Sequence, residues 1–129
     1  MGDQATILVV DDSPDNVTIL RTLLEARGYR VVSAPDGRSA LARVREDHPD
    51  LVLLDVMMPG MDGWQVCRAI KGHADFASIR VVMVTARSEF EDRMEGMRSG
   101  ADDYVAKPLN LAELELKVRR NLAAMERRS

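Results

Sequence analysis

Five short runs of β-branched and aliphatic residues alternate with stretches of helical periodicity along this chain of 129 residues. The runs are 6–10 (TILVV), 30–34 (RVVSA), 51–55 (LVLLD), 81–86 (VVMVTA) and 103–106 (DYVA). Strict alternation of strand and helix is typical of a parallel sheet, because a crossover must return the chain before the next parallel strand. The pattern predicts a doubly wound α/β fold, with helices on both faces of one five-stranded parallel sheet.

Five helices are predicted between and after these strands, at about 14–27, 38–47, 63–71, 88–100 and 110–125. In each of them the apolar residues recur on one face of a helix. Residues that cap or stop helices flank several of the ranges. They are Ser13, Gly28, Ser88, Gly100 and Asn110.

The length predicts a single domain over residues 1–129, with its core at about 5–125. Apolar residues make up 46% of the chain and charged residues 30%, as in ordinary globular proteins. The net charge of −3 provides no attraction to nucleic acid or to an anionic membrane, so neither is expected as a partner. The one cysteine, Cys67, is expected in the core. Without a membrane-spanning run or a signal peptide pattern, we expect a cytoplasmic protein.

Polar residues that bind cations or phosphate stand at four predicted strand ends. Asp11 and Asp12 follow the first strand, Asp55 ends the third, Thr85 lies at the end of the fourth, and Lys107 follows the fifth. In an open parallel sheet these ends meet at the edge where ligands bind. Ser13 already suffices to cap the first helix, so the two acids before it suggest another role. Three clustered carboxylates repel one another unless a cation joins them, and Mg²⁺ prefers oxygen ligands.

These residue types suit phosphoryl transfer. Asp55 is ionised near neutral pH and could act as a nucleophile without a general base, forming an aspartyl phosphate. Mg²⁺ bound by Asp12, Asp55 and a main-chain carbonyl would offset the repulsion between the carboxylate and the incoming phosphoryl group. Lys107 would add a second positive charge, and Thr85 a hydroxyl hydrogen bond.

Four segments carry a close family resemblance: VVDDS, LVLLDVMMPGMDGWQVCRAIK, VVMVTA and GADDYVAKP. Together they resemble the receiver domain of two-component response regulators, over residues 5 to about 125. The resemblance implies a flavodoxin-like fold with strand order 2-1-3-4-5, an order the field associates with chemotaxis receivers. It also implies a sensor histidine kinase or histidine phosphotransfer protein as phosphoryl donor, and an output domain or downstream protein as recipient of the signal.

The resemblance assigns roles to individual residues. Asp55 would be the phosphoacceptor, while Asp12 would bind the metal directly and Asp11 through water. Met57 would contribute its backbone carbonyl to the metal. Lys107 would pair with the phosphoryl group, and the peptide bond between Lys107 and Pro108 is expected to be cis.

The resemblance also implies a switch. Thr85 would move toward the phosphoryl group on Asp55, and Tyr104 would turn into the vacated space, changing the surface of the fourth helix, fifth strand and fifth helix. That surface could form a homodimer. Bulky side chains at Met57 and Arg87 are expected to obstruct attacking water and slow loss of the phosphoryl group.

Two other function classes fit the same fold. A metal-dependent phosphohydrolase with an aspartyl phosphate intermediate would turn over a separate substrate, but no insertion is present to enclose one. A flavin-binding module or silent scaffold is the second alternative, although the acidic segment DDSPDN at 11–16 would repel a cofactor phosphate. We therefore predict a signalling domain that catalyses only its own phosphoryl transfer and autodephosphorylation, rather than an enzyme.

Overall fold

The computed structural model describes residues 4–58, 60–85 and 100–128, the last four of them as backbone only. These residues form five strands and four helices, in the order β1 (Thr6–Val10), α1 (Pro14–Ala26), β2 (Arg30–Ala34), α2 (Gly37–Asp47), β3 (Leu51–Asp55), α3 (Gly63–Lys71), β4 (Arg80–Thr85), β5 (Asp103–Ala106) and α4 (Leu111–Arg128). Residues 88–99 of the helix predicted at 88–100 lie outside the described residues, as does Ala86. β4 begins one residue before the predicted start, because Arg80 pairs with Leu51 and extends the ladder.

All five strands form one parallel sheet in the order β2-β1-β3-β4-β5. From β1 the chain first moves outward to β2 and then crosses to β3, β4 and β5 on the other side. The carboxyl ends of β1 and β3 therefore flank the point where the winding direction reverses, which is where such sheets form a crevice. The order and the parallel pairing confirm the predicted flavodoxin-like fold.

Apolar side chains cover both faces of the sheet. One core cluster joins the strands to α2 and α3, and the other joins them to α1 and α4. In β3, Val52 and Leu54 belong to the first cluster, while Leu51 and Leu53 belong to the second. All four are buried, which explains why this strand has a continuous apolar sequence rather than an alternating one. Within the described residues, no helix is both long enough and apolar enough to cross a bilayer.

The helix ends follow local signals. Ser13 Oγ accepts the N–H of Asn16 at 3.3 Å at the start of α1. After α1, Gly28 adopts a φ of 91°, a left-handed conformation that costs glycine little. Asp62 and Gln65 form a reciprocal capping box at the start of α3. These caps fix where α1 and α3 begin, after the two strands whose carboxyl ends present the acidic residues.

Candidate functional site

Three carboxylates meet at the carboxyl edge of the sheet. Asp11 and Asp12 follow β1, and Asp55 is the last residue of the neighbouring strand β3. One oxygen atom from each lies within 4.8 Å of the other two. Asp11 and Asp55 are buried, with 6% and 3% of their surface exposed, whereas Asp12 is exposed. The structure thus brings together the three acids that the sequence analysis placed at strand ends.

Both oxygens of the Asp55 carboxylate accept hydrogen bonds. The N–H of Met57 donates to Oδ1 at 3.0 Å, and Lys107 Nζ donates to Oδ2 at 3.1 Å. Burial raises the pKa of Asp55 above its ordinary value, and the nearby charge of Asp11 adds to this effect. The hydrogen bonds from Lys107 and Met57 oppose the rise. The group is therefore held in one orientation, while its negative charge is only partly compensated.

Asp11 has a structural role that the sequence analysis did not predict. Its Oδ1 accepts the N–H of Ser13 at 2.8 Å, and its Oδ2 accepts the side-chain amide of Asn16 at 3.3 Å. Asp11 therefore organises the loop into α1 in addition to Ser13, and this contact brings Asn16 to the site. The missed signal was the position of Asn16 in the first turn of α1, on the side that faces the acids.

Helix α3 begins against the backbone of Asp55. The N–H of Gly63 donates to the carbonyl oxygen of Val56 at 3.1 Å. A Cβ atom on Gly63 would lie 2.4 Å from the carbonyl oxygen of Asp55, so no side chain fits without a backbone shift. Asp-Gly at 62–63 signals a turn in the sequence, but the close contact depends on how α3 docks against β3.

Thr85 and Lys107 lie at the ends of the next two strands. Thr85 is buried at the end of β4, and its carbonyl oxygen accepts the N–H of Lys107 at 2.7 Å. The side chain of Lys107 is 28% exposed, so its ammonium group joins the buried Asp55 to the surface. The peptide bond between Lys107 and Pro108 is cis.

Tyr104 lies half-buried on β5, where its register partner is Met83. Thr85 pairs with Ala106, so the side chains of Thr85 and Tyr104 share one face of the sheet, two residues apart in register. The carbonyl oxygen of Tyr104 accepts a hydrogen bond from Lys117 Nζ at 2.7 Å, which fixes its backbone to α4. Arg87, the other predicted site residue on this side, lies outside the described residues.

The donor set suits a hard divalent cation. The clustered groups are carboxylates, and oxygen ligands are those that Mg²⁺ prefers. Among the described residues, Lys107 forms an ion pair with this cluster, and it contacts Asp55, so three ionised carboxylates would carry an excess of negative charge. Asp12 is exposed and thus accessible to a hydrated ion. These three residues could hold Mg²⁺.

A cavity of about 380 Å³ opens beside the acids. Its walls come from the first turns of α1, the loop after β5 and the start of α4, and the lining residues are Asn16, Ile19, Lys107, Pro108, Leu109 and Leu111. Two of them, Asn16 and Lys107, also bond to Asp11 and Asp55. The exposed side chains of Ile19 and Leu111 give the cavity an apolar rim. The sequence did not indicate this cavity, since its walls are distant in the chain.

Comparisons with known proteins agree with this geometry. The family model of the response regulator receiver domain matches residues 7–119. The probable transcriptional regulator ycf27 of Galdieria sulphuraria is 48% identical over 113 residues, which are 88% of this chain and 43% of that protein. The response regulator PleD of Caulobacter vibrioides is 48% identical over 115 residues, 89% of this chain and 25% of PleD. The chain therefore spans less than half the length of these two curated relatives.

Solved structures resemble most of the chain. The CheY-like response regulator receiver domain protein of Methanospirillum hungatei superposes with a TM-score of 0.90 at 28% identity, covering 98% of this chain and all of that one. Chemotaxis protein CheY4 of Vibrio cholerae gives a TM-score of 0.87 at 31% identity, covering 92% of this chain and 98% of CheY4. With the family model matched over most of its length, the chain belongs to the receiver domain family of response regulators, the signalling domains of two-component systems.

Proposed function

We propose that Asp55 accepts a phosphoryl group from the phosphohistidine of a sensor histidine kinase or histidine phosphotransfer protein. One observation carries the proposal: the buried carboxylate of Asp55 contacts Lys107 Nζ at 3.1 Å and lies within 4.8 Å of the oxygens of Asp11 and Asp12. A buried acid that contacts a lysine and lies close to two further acids suits an anion that arrives with a metal ion. Positioning and charge compensation supply most of what phosphoryl transfer requires.

The step forms one bond and breaks one. A carboxylate oxygen of Asp55 attacks phosphorus, the bond between phosphorus and the donor imidazole nitrogen breaks, and the imidazole leaves with the electron pair. Lys107 holds the phosphoryl oxygens, and the N–H of Met57 keeps the carboxylate oriented. Mg²⁺, bound by Asp12, Asp55 and the carbonyl of Met57 with Asp11 acting through water, would supply the remaining positive charge.

Loss of the signal occurs by hydrolysis, in which water attacks phosphorus and the bond to Asp55 breaks. Met57 and Arg87 are proposed to obstruct that water. The exposed position of Met57, two residues after Asp55, supports its part in this. Replacing it with a small residue should speed autodephosphorylation, and an unchanged lifetime would contradict the proposal.

Thr85 and Tyr104 are proposed to transmit the change. Their side chains share one face of the sheet, so movement of Thr85 toward a phosphoryl group would open space on the side where Tyr104 lies. Lys117 and Asp103 hold the backbone of Tyr104, which leaves its side chain as the moving part. The altered surface would include β5 and α4, and it could act on an output domain, a separate downstream protein or a second copy of the chain.

The cavity beside the acids is proposed as the place where the phosphoryl donor docks. Its rim exposes 50% of Ile19 and 38% of Leu111, apolar surface that a partner would cover. Lys107 lines both the cavity and the acidic site, so a protein bound here would place its phosphohistidine next to Asp55.

The decisive experiment is incubation with acetyl phosphate and Mg²⁺, followed by mass mapping of any added phosphate. We expect one phosphoryl group on Asp55, with none in Asp55→Asn or without a divalent cation. Asp12→Asn should slow labelling strongly, whereas Asp15→Asn, which removes an exposed acid four residues from Asp11, should not. Labelling elsewhere, or none, would contradict the proposal. Steady turnover of a small phosphate ester would instead favour a phosphohydrolase.

The donor site has its own test with a phosphorylated histidine phosphotransfer protein. Ile19→Ala and Leu111→Ala should slow transfer from this protein, because they remove apolar contact area, and should leave labelling by acetyl phosphate unchanged. Leu116→Ala is the matched control, since Leu116 is 54% exposed on α4 but does not line the cavity. Equal effects of all three variants would refute docking at the cavity.

A further inference from the structure

Met57 is the most exposed large apolar side chain in the described part of the chain, with 68% of its surface in solvent. Its neighbour Met58 is 8% exposed and Met83 is fully buried, and both belong to the core. Met61 is partly buried against the same core. Among the four methionines whose side chains are described, only Met57 presents its thioether openly to solvent.

Met57 is also tied to the acidic site. Its backbone N–H donates to Asp55 Oδ1 at 3.0 Å, so the position of its backbone relative to the carboxylate is fixed. Because its side chain is not part of either core cluster, a more polar group there would not disturb the packing. The same change at Met58 or Met83 would place a polar oxygen in the core, which is costly.

We propose that Met57 is a peroxide-sensitive modification site, and that its oxidation to the sulfoxide shortens the lifetime of a phosphoryl group on Asp55. The second half rests on the proposed function. The sulfur lone pair attacks one oxygen of hydrogen peroxide, the O–O bond breaks and an S–O bond forms. The sulfur is oxidised by two electrons and the peroxide leaves as water. Sulfoxide reductases reverse this modification, so it could act as a signal rather than as damage.

The effect on lifetime follows from the polarity of the new group. A thioether is a weak hydrogen-bond acceptor and covers its surroundings with apolar surface. A sulfoxide oxygen accepts hydrogen bonds from water. Two residues after Asp55, it would hold water where the unmodified side chain is proposed to obstruct it, so the aspartyl phosphate would hydrolyse faster.

The first measurement concerns the modification alone and needs no phosphorylation. The full chain is treated with limiting hydrogen peroxide, quenched with catalase and mapped by mass spectrometry. Met57 and Met58 lie in the same tryptic peptide and serve as a matched pair. We expect the mass of one oxygen atom to appear on Met57 well before Met58 or Met83. Equal rates at Met57 and Met58 would overturn the proposal.

The second measurement compares the decay of the phosphorylated protein before and after oxidation. Met57→Leu is the control, since leucine has similar volume and cannot be oxidised, while every other methionine in that variant still can. Oxidised wild type should lose its phosphoryl group roughly threefold to tenfold faster, the range that one new hydrogen bond supplies. Oxidised and untreated Met57→Leu should decay equally, and sulfoxide reductase should restore the wild-type lifetime.

The outcomes separate the two proposals. If the protein never takes a phosphoryl group before any peroxide is added, the proposed function fails and the effect on lifetime fails with it. If phosphorylation occurs but oxidised wild type decays at the untreated rate, only the present inference is overturned. A faster decay that also appears in oxidised Met57→Leu would assign the effect to another methionine and overturn it as well.

Discussion

At the scale of single residues, Gly63 determines how closely α3 can approach the phosphoacceptor. Its missing side chain leaves room for the carbonyl oxygen of Asp55, which would lie 2.4 Å from a Cβ atom. We expect Gly63→Ala to lower the free energy of unfolding by about 1–3 kcal/mol or more, as overpacking does. Denaturant unfolding, followed by the fluorescence of the adjacent buried residue Trp64, measures this change in the free energy of unfolding.

Gly60→Ala is the comparison that separates crowding from backbone conformation. Gly60 has a φ of 77°, but a Cβ there would contact nothing within 4 Å. Alanine in this left-handed conformation should cost about 1 kcal/mol. If Gly63→Ala lowers the free energy of unfolding no more than Gly60→Ala does, the close contact with Asp55 does not limit the approach of α3.

Asp55 gives a second prediction at this scale, through pH. Its folded pKa is raised above the ordinary value of 3.8, chiefly by burial, so the unfolded chain releases this proton at a lower pH than the folded protein does. Ionisation of Asp55 therefore lowers the stability of the folded state once the pH exceeds 3.8. This loss of stability reaches its full size above the folded pKa. Without divalent cations, Asp55→Asn should be more stable than wild type at neutral pH.

The size of that gain should itself depend on pH. In urea unfolding measured from about pH 4 to about pH 7, the stability of Asp55→Asn relative to wild type should increase with pH. The reason is that ionisation of the buried carboxylate destabilises the wild type, whereas asparagine does not ionise. Asp15→Asn, at an exposed position, should show no such trend. A difference that stays constant or shrinks with rising pH would show that burial does not dominate at Asp55.

At the scale of elements, Asn121 joins α4 to β4 and β5. Its Oδ1 accepts two hydrogen bonds from Arg80, and its Nδ2 donates to Asp103 Oδ2 at 3.0 Å and to the carbonyl oxygen of Lys117 at 2.7 Å. Although burial opposes it, bonds from Arg120, Asn121 and the backbone of Tyr104 hold the pKa of Asp103 below its ordinary value. The end of the sheet opposite the acids is thus fixed to α4 by paired polar groups.

We expect Asn121→Ala to destabilise the protein by about 1–3 kcal/mol, because the partly buried groups of Arg80 and Asp103 lose hydrogen bonds. Arg119→Ala, at an exposed neighbouring position, should change stability by less than about 0.5 kcal/mol. Thermal and denaturant unfolding of both variants would measure this. Similar losses in the two would mean that the polar network adds nothing beyond the packing of the helix.

At the scale of the whole molecule, a site of three acids links folding to cation binding. The unfolded chain separates Asp55 from Asp11 and Asp12, so Mg²⁺ should bind the folded state preferentially. At a concentration one hundred times its Kd, it should raise stability by about 2.7 kcal/mol. The melting temperature is measured with MgCl₂ and with NaCl of equal ionic strength, and only the former should raise it. Asp12→Asn should reduce that rise, and an identical rise in the variant would place the ion elsewhere.

The fold and most of the site residues could be predicted because their signals are local or lie at strand ends. The sheet order came from a family resemblance, not from periodicity, and the structure and the comparisons confirm it. The single-domain extent, the cytoplasmic location, the bound Mg²⁺, the roles assigned to the site residues and the helix at 88–100 stay predictions. The structural role of Asp11 and the contribution of Asn16 were missed, since hydrogen bonds within a loop depend on its conformation.

The alternation of strands and helices was determined by the sequence alone, because side-chain periodicity records which faces of each element are covered. The sequence also determined that acids and a lysine end neighbouring strands. Tertiary structure alone decided which atoms meet: Lys107 with Asp55 across 52 positions, and Gly63 against a carbonyl oxygen. It also decided that Met57 is exposed while Met58 is buried, since identical neighbours in a sequence differ only in the direction that the folded backbone gives them.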